Sequence, residues 1–130
     1  MNSETEKLLF YRGLLFALRA AGMTGFLAEG PEFHQAFGST IALASELLGE
    51  DEPIHAIEVH LDPIFGVYPE ANEMLLEGAQ DTVLSLANPH LRRAKFEMDE
   101  HEALEELERL PRPDIFRKLG EHLKLSLRPA

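Results

Sequence analysis

The stretch from Leu8 to Leu18 places apolar residues on more sides of one helix than a surface helix needs. Leu8, Tyr11, Leu15 and Leu18 recur at helical spacing, and Leu9, Phe10, Leu14 and Phe16 add a second stripe. Such a helix is either central in its own core or hands its second stripe to a copy of the chain. The expectation drawn from it is a homodimer through this helix. The alternative is that a second helix, with Phe33, Phe37 and Ile41, covers the extra stripe within one chain. Ser3 followed by Glu6 reads as a capping box, and the helix should end near Gly22.

A chain of 130 residues supports one core and buries roughly two thirds of its unfolded surface. The remaining elements follow from periodicity and punctuation. GMTGFLAEG, from 22 to 30, reads as a helix–helix connection. Pro31 opens a helix to about 48, through Gly38. After the acidic loop at 50 to 53 the pattern switches to period two, so 54 to 61 reads as a strand with Ile57, Val59 and Leu61 on one face. Asp62-Pro63 is turn chemistry, and 64 to 68 reads as a short returning strand with Gly66 as a bulge.

Pro69 begins a long helix that Asn88-Pro89 should stop. Ala94, Phe96 and Met98 then alternate with Arg93, Lys95 and Glu97 as a half-exposed strand. Asp99 with Glu102 caps the next helix, Asp114 caps the last, and LKLSL at 123 to 127 alternates as a final strand. The reading is α+β: a helix-rich single domain, 1 to 130, with a small sheet of two to four strands covered by helices. Its strand, long helix and strand between 54 and 98 would make a βαβ unit if the strands run parallel.

Composition narrows the chemistry. With no cysteine, disulfides, thiolate nucleophiles and cysteine-held metals are excluded. The net charge of −11, from 23 acids against 12 bases, argues against nucleic acid and for a basic partner. No apolar run approaches the roughly 18 residues that span a bilayer, and the N-terminus lacks the order of a signal peptide. A soluble cytoplasmic protein that does not bind membranes is expected.

Within EVHLD, residues two apart on a strand lie on one face about 6 to 7 Å apart, so Glu58, His60 and Asp62 could converge on one divalent ion. The same alternation is what a strand with one wet face shows, and Pro63 can turn Asp62 away. Facial-triad iron chemistry, which would join the HxD to His101 or His122, needs a larger double-stranded barrel than these strands supply. The other histidines, His34, His55 and His90, are scattered, with His55 expected on the apolar face beside Ile57.

Ser39, Thr40 and Ser85 carry no GxSxG, and the glycines of 22 to 30 no GxGxxG, so no catalytic residue and no cofactor is assigned. The run DEHEALEELE, 99 to 108, holds six acids beside an apolar stripe. It is a solvated face or a dock for a basic protein. The functional expectation is a non-enzymatic interaction or regulatory module that binds another protein or itself. The alternatives are a small-molecule or divalent-metal domain at Glu58, His60 and Asp62, and an acidic inhibitor of a basic protein.

Overall fold

In the computed structural model, which describes residues 3–87 and 93–129, helix α1 (Ser3–Ala20) is threaded through the centre of the molecule. Phe10, Tyr11, Leu14, Leu15 and Leu18 are wholly buried, and Phe16 and Ala17 nearly so. It ends in a Schellman turn: Met23 N–H bonds to Leu18 O and Gly22 N–H to Arg19 O, with Gly22 at φ +102. The Ser3 half of the expected capping box lies outside the described side chains.

Seven elements follow: β1 (Gly25–Leu27), α2 (Gly30–Leu47), α3 (Pro69–Gln80), β2 (Leu84–Ala87), β3 (Arg93–Phe96), α4 (Glu100–Glu108) and α5 (Pro113–Ser126). Helix α1 packs on α3, α4 and α5, and α2 packs on the other side of α5. Phe10, Leu14 and Phe16 of the second stripe of α1 are thus covered within the chain. Phe10 meets the Phe116 ring of α5 at 5.6 Å, and of the four residues of that stripe Leu9 stays partly exposed.

The helices α1 and α5 approach closely because glycines face one another's neighbours. A Cβ at Gly13 would enter the Phe116 ring, and one at Gly120 would lie 2.6 Å from the Ala17 carbonyl carbon. Ring and backbone therefore occupy the space that two side chains would otherwise take.

The chain is α+β, with a small open antiparallel sheet of order β1-β3-β2. Leu84 pairs with Phe96 and Leu86 with Ala94, while Phe26 sits opposite Ala94 on the other side. Ala94 and Phe96 point inward and Arg93 and Lys95 outward, as their alternation predicts.

Several expected elements differ. Residues 22 to 30 hold β1 instead of a plain connection, because Phe26 is buried between Phe33 and Phe96. The long third helix stops at Gln80, since Thr82 takes the left-handed conformation (φ 58) and Val83 N–H returns to Gly78 O. The residues after it become β2. Residues 123 to 126 continue α5 instead of forming a strand, as Leu119 and Leu123 keep its helical period in the core. Only a bridge between Phe26 and Pro129 extends the sheet there.

Arg112, at φ 53, precedes α5, and Asp114 lies in the first turn bonded to it, so Asp114 is not the cap. Asp99 does cap α4, its carboxylate accepting Glu102 N–H at 2.8 Å. No βαβ unit forms over 54 to 98 among the described residues: 55 to 60 carry no regular secondary structure and join no strand. The Asn88-Pro89 stop, His90 and the start of the 91 to 98 segment lie outside the described residues.

Two substitutions test this packing. Alanine in place of a mid-helix glycine ordinarily stabilises by about 1 kcal/mol. Gly120→Ala should instead destabilise by about 1 to 3 kcal/mol, read from the urea midpoint, because the Ala17 backbone cannot yield. Thr82→Gly should stabilise by about 0.5 to 1 kcal/mol, since a β-branched residue holds a left-handed position there.

Candidate functional site: a histidine-anchored segment and its apolar tip

The segment from Ile54 to Tyr68 crosses from the end of α2 to the start of α3 with hardly any backbone ladder of its own. Ile54 is wholly buried, and Ala56, Ile57 and Val59 pack partly against the core. What holds it otherwise is a pair of matching side-chain grips. His55 presents its backbone N–H at 2.8 Å and its ring Nδ1 at 2.7 Å to one oxygen of Glu6, in the first turn of α1. His60 presents its N–H at 2.8 Å and its Nδ1 at 2.9 Å to the two oxygens of Glu70, in the first turn of α3. Both carboxylates sit at helix N-termini, where the helix dipole favours negative charge.

These contacts set the protonation preferences. The His55 imidazole is raised above the ordinary value, first by the Glu50 carbonyl that Nε2 meets at 3.0 Å and then by Glu6. That of His60 is raised chiefly by its hydrogen bond to Glu70. Burial pushes the Glu70 carboxyl up, since the residue is only 5% exposed, but the two bonds from His60 outweigh it and hold the carboxyl below its ordinary value. A third histidine anchors the far end: His34 Nδ1 accepts the Tyr68 N–H at 3.0 Å. Burial lowers its pKa, which suits an acceptor nitrogen. The Tyr68 ring then lies on α2 where Gly38 leaves room for it, 5.8 Å from the Phe37 ring.

Between the second and third anchors the chain makes a tight turn. Asp62 N–H bonds to Val67 O and Gly66 N–H to Asp62 O, both at 2.8 Å. The Asp62 carboxylate accepts the N–H groups of Ile64 and Phe65, at 2.9 and 3.3 Å. Gly66 supplies the left-handed residue at φ 68. The turn therefore fixes Ile64, 83% exposed, and Phe65, 76% exposed, in solvent, with Leu61 beside them at 52%. The short returning strand read from 64 to 68 is this turn, and Leu61, read as inward-facing, points outward.

The structure does not gather Glu58, His60 and Asp62 around one point. His60 is engaged with Glu70, Asp62 with its own turn, and Glu58 is exposed. Among the described residues no group of three or more His, Asp or Glu is arranged to hold a metal ion. A cleft of about 340 Å³ does open under the segment, lined by Glu4, Lys7, Ile57 and the two grips. His55 is exposed instead of sharing an apolar face with Ile57.

One pair went unread in the sequence: Ser39 Oγ and His122 Nε2, 83 positions apart on α2 and α5, meet at 2.8 Å at the surface. Among the described residues no carboxylate meets the other ring nitrogen of His122, so the pair lacks the third group that orients a catalytic base. No sequence signal could have joined them. Asp-Pro-Ile-Phe-Gly, by contrast, announces two large apolar residues inside a turn.

In comparisons with known proteins, no family model, no curated protein and no solved structure matches this chain.

The grip on Glu70 should show in stability against pH. The raised His60 contributes stability that is full below its ordinary value of 6.5 and is lost as pH rises through its folded value. The lowered Glu70 contributes stability present above 4.5 and lost as pH falls. The difference in melting temperature between the native chain and His60→Ala should therefore be largest between 4.5 and 6.5 and shrink on both sides. A flat difference across pH would show that the ring bond adds nothing beyond the backbone one.

Proposed function

We propose that this chain is a non-enzymatic interaction module whose turn at 62 to 67 inserts Ile64 and Phe65 into an apolar pocket on another protein. One observation carries the reading: two large apolar side chains more than three-quarters exposed and adjacent at the tip of a turn that is ordered without them. Single exposed apolar residues are common and mean little, whereas a contiguous apolar tip costs solubility and is the form that a buried interface anchor takes. Pre-ordering by Asp62 and Gly66 and anchoring by His60 and Tyr68 reduce the entropy lost on docking.

The test separates contact from folding. Ile64→Ser with Phe65→Ser should shift the unfolding free energy by less than about 0.5 kcal/mol, because neither side chain packs on the core. A photoreactive phenylalanine analogue placed at 65 should cross-link in cells to one discrete species, and the same group at exposed Glu46 should not. Loss of the 65 cross-link with Ile64→Ser would place the contact on the tip. A product at twice the chain mass of 14.6 kDa would identify the pocket as belonging to a second copy. No product above the Glu46 control would remove the reading.

A further inference from the structure

A second surface lies along α1 and α4, away from the turn. Leu9, Arg12 and Phe16 line one wall at spacings of three and four residues along α1, and Glu102, Glu105 and Glu106 of α4 with Arg109 at its C-cap line the other. Val83, Met98 and Leu110 complete an apolar floor, and the trough encloses about 530 Å³. Each wall spans eight residues, a rise of about 10 Å or two helical turns. Two helices that leave a trough of that length between them present the ridges into which a third helix packs.

Charge decides which helix. Four acids, Asp81, Glu102, Glu105 and Glu106, and two arginines, Arg12 and Arg109, line the trough. Both arginines are already neutralised: Arg12 by Glu77 at 3.1 Å and Asp81 at 2.6 Å, and Arg109 by Glu106 at 2.9 Å. Glu105 meets only His101, at 2.9 Å, and Glu102 has no side-chain partner among the described residues. The acids still open to a new partner therefore stand on the α4 rim, in a chain whose net charge is −11.

We infer that this trough binds a basic amphipathic helix of a partner protein, with aliphatic side chains on the partly exposed Leu9, Met98 and Leu110 and lysine or arginine against Glu102 and Glu105. The recognition is helix-in-groove: apolar anchors supply affinity, and the acidic rim selects sign and speeds encounter. Its geometry is independent of the turn at 62 to 67.

The experiment uses the full chain and fluorescent 18-residue peptides, followed by anisotropy. The first peptide carries leucine and lysine in helical amphipathic order, the second the same residues scrambled, and the third leucine and glutamate in the first order. The ordered basic peptide should bind, and more weakly as salt rises. Glu102→Arg with Glu105→Arg should weaken it at least about tenfold. Glu46→Arg with Glu121→Arg, the same charge change on exposed positions of α2 and α5, should weaken it far less. Ile64→Ser with Phe65→Ser should leave it unchanged. Equal binding of the scrambled peptide, equal loss in both charge-reversal pairs, binding of the acidic peptide, or loss in the turn variant would each overturn the assignment. Unaltered circular dichroism melts of the variants, which replace exposed residues only, keep each outcome interpretable.

Discussion

Helix α1 can sit at the centre of this molecule because α5 comes against it through glycine. Where Gly120 meets the Ala17 backbone and Gly13 meets the Phe116 ring, helix and ring touch with no side chain between them. Close packing at that seam buries one stripe of α1 and leaves its other sides for α3 and α4. Gly78 repeats the device on α3, with the Leu15 side chain in the space a Cβ would take. A core built this way is mostly helix on helix.

That arrangement decides how the segment from 54 to 68 is held. Among the described residues the segment joins no strand, and the His55 and His60 amides bond to carboxylates instead. His55 and His60 use one device twice, a residue's own N–H and its own imidazole closing on a first-turn glutamate. Apolar burial within it comes from Ile54, the half-buried Ala56, Ile57 and Val59, and Tyr68 at its end. The segment is thus tied at points, and the stretch between the ties is free to project. A strand would have turned the neighbours Ile64 and Phe65 to opposite faces; the capped turn leaves both exposed.

How much of this was legible follows the reach of each signal. Helices α1, α2, α4 and α5 announce themselves through local spacing, and β3 through the Ala94 and Phe96 alternation. The end of α3 does not, because the left-handed residue that stops it is Thr82 where sequence rules look for glycine or asparagine. β1 was hidden by its three-residue length, and its burial depends on Phe33 and on Phe96, the latter 70 positions away in the chain. At the candidate site, Glu58, His60 and Asp62 have the right alternation for a shared face. Their partners, Glu70 and the turn amides, are set by tertiary position and local turn geometry that alternation does not encode. Gly38 illustrates the same limit: it looks like a weak point in a helix until Tyr68 is seen lying on it.

Local and global preferences agree through most of the chain, and the exceptions are instructive. Glu102, Glu105 and Glu106 stand three and four residues apart on a helix of only nine residues, where like charges at those spacings each oppose the helix by a few tenths of a kcal/mol. A helix that short does not hold itself together in water, and α4 persists through the Asp99 cap and the burial of Ala103 and Leu107. The pairs Arg109 with Glu106 and Arg117 with Glu108 relieve part of the repulsion, but none of it serves the core. Ile64 and Phe65 are the apolar counterpart, since the turn that displays them is complete without their side chains. Both features work against stability or solubility in the isolated chain, and both become favourable when a complementary surface covers them. A fold whose interior is otherwise this consistent carries its departures on the outside, one apolar and one acidic, at separate places.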